Sequence, residues 1–79
     1  MTNRERYDKI FVDCLGIHPD QLNDKLVYNS VESWDSVGHM GLMAALESEF
    51  DIMMDTDDII GFSSYTKGLE ILAKYGVQF

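Results

Sequence analysis

Positive charge is scarce in this 79-residue chain, where six Lys and Arg stand against 14 Asp and Glu for a net charge of −8. Between Ile10 and Thr66 the only basic side chain is Lys25, set against eleven acids: Asp13, Asp20, Asp24, Glu32, Asp35, Glu47, Glu49, Asp51, Asp55, Asp57 and Asp58. Such a surface repels a phosphate backbone or an anionic bilayer, which argues against nucleic acid and membrane headgroups as partners and for basic protein surfaces. The single cysteine, Cys14, permits no internal disulfide, and no cluster of Cys and His offers a metal site. Nor does any apolar run approach the roughly 18 residues of a membrane span, and the residues after Met1 lack the apolar stretch of a secretory signal. The expectation is a reduced, cytoplasmic, monomeric protein. Sustained period-two alternation, internal repeats, low-complexity runs and a Gly-rich phosphate loop are all missing as well.

What remains is apolar enough to fold: the chain is 46% hydrophobic and 11% aromatic, too rich for a solvated tail. Thr2 and Glu5 form a capping box, because a cap hydroxyl and a carboxylate three residues on satisfy each other's free N–H groups. Tyr7, Ile10, Phe11, Cys14 and Leu15 then recur at amphipathic-helix spacing, Cys14 as a small core residue, and Gly16 is a natural stop. From Ile17 to Trp34 turn formers and Pro19 predict a long connection, with a short helical turn around Asp20–Lys25, pinned to the core by Leu22, Leu26, Val27, Val31 and Trp34.

A second helix is expected from Asp35 or Ser36 to about Phe50, with apolar residues over more than one face and Leu42, Leu46 and Phe50 assigned to the core. Glu47, Glu49 and Asp51 crowd its far end, where acids oppose the helix dipole; attraction to a partner is one reason for keeping them there. Asp55 or Thr56 caps a short helix with Asp57 and Asp58 in its first turn and Ile59, Ile60 and Phe62 on its apolar side. Ser63 or Ser64 caps the last helix, where Leu69 and Leu72, with Tyr65 and Tyr75 as candidates, turn inward before Gly76 ends it. The fold expected over residues 1–79 is one all-α domain, a small four-helix bundle of three main helices and one short one with a long first loop.

Few residues in that frame offer chemistry. Asp51, Asp55, Asp57 and Asp58 do not match a calcium loop, because its glycine and its final bidentate acid fall on the wrong residues; a weak surface cation site stays open. Ser36 and His39, three apart, share a helix face, but a hydrolase also needs an orienting acid, an oxyanion hole and a pocket, and three helices in so short a chain leave little concavity. Ser36 stands out by position: in the first turn of a helix, after the cap residue Asp35, an anionic group attached to its oxygen lies at the positive end of the dipole.

The stretch Trp34-Asp35-Ser36-Val37-Gly38-His39-Met40, followed by Leu42, Leu46 and Glu47, resembles the Asp-Ser-Leu type motif of acyl carrier proteins, and the likeness in helix order and acidity covers nearly the whole chain. The resemblance implies that Ser36 accepts a 4′-phosphopantetheine arm from coenzyme A through a phosphodiester, placed by a phosphopantetheinyl transferase. The arm's thiol would hold acyl groups as thioesters, making the protein a non-catalytic carrier for enzymes of fatty-acid, polyketide or specialised lipid synthesis. Asp35 would cap the helix beside the arm, while Glu47, Asp57 and Asp58 steer the carrier onto basic patches of loading, elongating or transferring enzymes. Val37, Met40, Met43 and Ala44 are divided between core packing and an apolar docking surface, with Val37 and Met40 leaning towards docking. Met40, Met43, Met53 and Met54 suit a deformable apolar interior.

Gly38 and Gly41 stand where that family often carries acids, with a solvent-facing His39 between them as a possible pH-sensitive contact. This departure makes a dedicated pathway, such as polyketide, specialised lipid or surface-glycan acylation, competitive with a housekeeping fatty-acid role. Two other readings stay open. One is an aminoacyl or peptidyl carrier with the same arm. The other is an unmodified helical adaptor that binds basic partner helices through Glu47, Glu49, Asp57 and Asp58.

Overall fold

The computed structural model describes residues 1–79 and has four helices and no strand. Helix α1 (Asn3–Leu15) begins at the Thr2/Glu5 capping box and ends at Gly16, whose φ of +63° is the left-handed conformation that glycine adopts without a Cβ clash. Its buried line is Tyr7, Phe11 and Leu15, with Ile10 half-buried. Cys14 is exposed, contrary to the core role expected of it. The buried line follows an i, i+4, i+8 edge centred on Phe11, which turns Cys14 to its flank. Desolvation, and then the neighbouring Asp13, push its thiol pKa up, away from the reactive thiolate.

The long connection contains one turn of 3₁₀ helix (Pro19–Gln21), a residue earlier than the expected helical turn, because Pro19 supplies a preset φ at its start. Leu26 and Trp34 are the buried pins and Leu22 and Val31 are half-buried. Val27 instead stays largely exposed and contributes its backbone, in an isolated antiparallel bridge with Ser64.

Helix α2 (Ser36–Phe50) packs against α1. Its inner face is Leu42, Met43 and Leu46, with Phe50 half-buried beneath the Arg6 guanidinium, 4.9 Å from the ring centroid. Helix α3 (Thr56–Gly61) is a single short piece with no buried residue, and Asp55 occupies its cap position without a side-chain capping bond. Helix α4 (Tyr65–Lys74) is capped by Ser64, whose Oγ accepts from the Lys67 N–H at 2.9 Å. It buries Tyr65, Gly68, Ile71 and Leu72; Ile71 was not among the residues expected inside, and Leu69 and Tyr75 are only half-buried.

These surfaces meet in one core of fourteen residues with Trp34, Tyr7, Phe11 and Phe62 among its largest members. Of the four methionines expected to line a deformable interior, Met43 and Met54 are in this core, whereas Met40 and Met53 project into solvent. No helix is long and apolar enough to cross a membrane.

Candidate functional site at the start of α2

Ser36 is the first residue of α2 and is exposed. The backbone in front of it is fixed by local bonds. Ser33 Oγ donates to the Leu15 carbonyl at the end of α1, at 2.6 Å. Trp34 is fully buried; its N–H donates to the Val31 carbonyl and its carbonyl accepts from the Asn29 N–H. Asp35 Oδ1 then accepts from the Gly38 N–H at 2.8 Å, the capping bond expected of it. At Gly38 a Cβ would overlap the Ser33 carbonyl oxygen, so glycine there lets the connection lie directly on the first turn of α2. A Cβ at Gly41 would meet nothing.

Beside Ser36 lies a cavity of about 330 Å³, a concavity that the short chain did not promise. Met40 forms its α2 side and Ile59 and Ile60 its α3 side, while Tyr28, His39 and Phe62 complete an apolar and aromatic lining. Neither Tyr28 nor the Ile59–Ile60 pair was singled out as site-forming. Two adjacent isoleucines on so short a helix could have raised the question, since they point about 100° apart and one must leave the core.

His39 departs most from expectation. It is half-buried rather than solvent-facing, and both ring nitrogens are engaged. The Trp34 indole N–H donates to Nδ1 at 3.0 Å, and Nε2 lies 2.7 Å from the Ile59 carbonyl oxygen. An indole N–H only donates and a carbonyl only accepts, so the two partners select the neutral tautomer with its proton on Nε2. Ring contacts hold the imidazole in place: Trp34 lies nearly parallel at 6.2 Å, Tyr28 edge-on at 5.6 Å and Phe62 at 6.2 Å. With Nδ1 accepting and Nε2 donating, the imidazole has no free lone pair with which to take a proton from Ser36. A buried tryptophan needs an acceptor for its N–H, and this was the available sequence signal for an inward His39.

The remaining candidates divide. Val37 and Met40 are 79% and 58% exposed and share an outward, uncharged strip of α2 with Gly41 and Ala44. Met43 is only 1% exposed and is a core residue, not a docking one, because its spacing puts it on the inner face with His39, Leu46 and Phe50.

Glu47 and Asp58, expected to face partners, are used by the fold itself. Glu47 Oε2 accepts from the Met54 N–H at 2.8 Å, closing the turn after α2. Asp58 binds Lys74 Nζ at 2.6 Å and accepts from the Tyr75 hydroxyl; these two bonds, Lys74 first, hold its carboxyl below the usual carboxylate range. Glu49 pairs with Arg6 at 2.6 Å, and Asp51 takes the left-handed conformation (φ +52°) at the end of α2. Internal bonds therefore account for Glu47 and Glu49 at the unfavourable end of the dipole. Asp35 and Asp57 remain exposed near Ser36 and on α3 respectively. No group of three or more His, Cys, Asp or Glu side chains is gathered to hold a metal ion.

Against known proteins, no family model matches this chain and no curated protein is similar to it at a significant level.

Proposed function

We propose that this protein is an acyl carrier whose Ser36 bears a 4′-phosphopantetheine arm. The observation that carries the reading is the placement of Ser36: exposed, first in α2, directly after a working Asp35 cap and on the rim of an apolar cavity. A phosphodiester on Ser36 would lie at the positive end of a fifteen-residue helix, where N–H groups lack intrahelical partners. The local residues fit such a group. The hydroxyl is accessible, and Gly38 and the capped turn hold it at a fixed place on the surface. When bound, the arm supplies a thiol that carries an acyl group as a thioester; the chain's own residues supply attachment, orientation and a recognition surface rather than catalysis.

Val37 and Met40 form the apolar part of that surface, with Asp57 as its free acid and the capping Asp35 exposed beside Ser36. Basic patches on a phosphopantetheinyl transferase and on the acyl-handling enzymes are the matching partners, and long-range attraction suits brief, salt-sensitive encounters. A cytoplasmic location and a dedicated acylation pathway belong to the same reading.

The test is to incubate the protein with coenzyme A and a broad-specificity phosphopantetheinyl transferase and to weigh it intact. One added phosphopantetheinyl group, abolished in Ser36→Ala, is expected. Failure of the folded wild type to gain mass would overturn the carrier reading and leave the unmodified adaptor.

A further inference from the structure

Beside Ser36 the fold leaves large apolar side chains in water. Met40 on α2 and Ile60 on α3 both line the cavity, and they are 58% and 75% exposed. Ile59, half-buried, and the buried ring of Phe62 extend the same lining inward. His39 adds ring surface alone, because Trp34 and the Ile59 carbonyl engage both its nitrogens. Tyr28 and Ser63, both exposed, add hydroxyl groups. A mainly apolar lining with a few polar groups, around a volume of about 330 Å³, is the build of a small-molecule site.

On the carrier reading, on which this step rests, we infer that the cavity seats the pantoyl unit of the arm, the segment joined directly to the phosphate. Its geminal methyl groups lie against Met40, Ile60 and Phe62, and its hydroxyl and amide turn towards Tyr28 and Ser63. Ser36 is itself part of the cavity lining, so the segment nearest the attachment point is the one delivered to it. Tethering makes that contact intramolecular, which fills a seat too weak to hold a free ligand. At about 30 Å³ for each water-sized group, the cavity has room for about eleven non-hydrogen atoms. The pantoyl unit fits that space and the complete arm does not. A cargo on the thiol would have to double back along the whole arm to enter. The lining carries no acid, lysine or arginine, which matches an uncharged segment. Seating the first part of the arm gives the thiol end a fixed point of departure from the α2–α3 face.

The test loads the wild type with coenzyme A and the transferase, confirms the arm by intact mass and reads the arm's geminal methyls by NMR. The rings of Tyr28, His39 and Phe62 line the cavity, so their ring currents should displace seated methyls from the position seen in free phosphopantetheine. Cross-relaxation peaks from these methyls to Met40, Ile60 and Phe62 are expected as well. Ile60→Glu puts a charge on the exposed wall and should return the methyls to the free position, while Met53→Gln, exposed but outside the cavity, should not. Loaded wild type whose methyls keep the free position and show no such peaks would overturn the inference. So would methyls that move only once the thiol carries an acyl group, since the cavity then belongs to the cargo. The wild-type peaks decide between these outcomes even where Ile60→Glu takes no arm. A wild type that gains no mass overturns the carrier reading and the seat with it, whereas loaded protein with free methyls overturns the seat alone.

Discussion

The contact between α1 and α4 and the attachment of α3 are built from different forces. α1 and α4 meet through rings: Tyr7 and Tyr65 have centroids 5.3 Å apart, as do Phe11 and Tyr65, and the Tyr7 hydroxyl donates to the Tyr65 carbonyl at 2.7 Å. Gly68 permits that approach, since a Cβ there would overlap Phe62 and the Tyr7 hydroxyl. α3 has far less burial, with Ile59 half-buried against the core as its one inward apolar side chain. It is tied down by His39 at its end and, nearer its start, by the Asp55 N–H donating to the Tyr75 hydroxyl and by Asp58 on Lys74. Apolar burial sums over many contacts at about 25 cal/mol per Å², whereas one hydrogen bond contributes about 1 kcal/mol net and is lost whole when a partner changes. The Ser36 cavity thus has one wall on the packed scaffold and one on a short helix that Ile59 packing and a few polar bonds retain.

Substitutions that load one region and spare the other test this contrast. The largest effect is expected from Phe11→Ala, which removes a ring in contact with Tyr7, Trp34 and Tyr65 and should cost about 3–5 kcal/mol in urea denaturation. Ile60→Ala, on the exposed side of α3, should stay within about 0.5 kcal/mol; comparable losses at the two positions would break the contrast.

Two glycines of α2 sharpen it next. Gly38→Ala drives a Cβ into the Ser33 carbonyl and should destabilise by about 1–3 kcal/mol, while Gly41→Ala, with open space around it, should stabilise by up to about 1 kcal/mol. Thermal melts of the two variants check the opposite signs.

The smallest effect concerns Asp58. Its carboxyl titrates lower in the folded chain than in the unfolded one, chiefly through Lys74, so its ionised form contributes stability above the ordinary carboxylate range, near about pH 4. That contribution fades as pH falls through the depressed folded value. Asp58→Asn should therefore lower the melting temperature modestly at neutral pH, with the gap to wild type closing in acid. A gap independent of pH would show that the carboxylate charge is not what tethers α3.

Helix punctuation was legible because it is local. Thr2 with Glu5, Asp35 with Gly38 and Ser64 with Lys67 are each three residues apart, so chemistry along the chain suffices to place the starts of α1, α2 and α4. The same reasoning put Ser36 at the start of α2. Outside its reach were the facing of Met43, the flank position of Cys14 and the internal use of Glu47 and Asp58. A two-sided apolar pattern on α2 does not say which side meets α1, and an acid's partner at a distance in sequence is invisible until the chain closes.

The sequence by itself determined an acidic all-α domain, its caps and the serine held at a helix start, since these follow from composition and from residues within one helical turn of each other. Only the tertiary structure decided that His39 turns inward, that α3 is bound through Ile59 and a few polar bonds and that a cavity opens beside Ser36. Those features depend on bonds such as His39 to Ile59, twenty residues apart, and such bonds exist only once hydrophobic burial has brought the segments together.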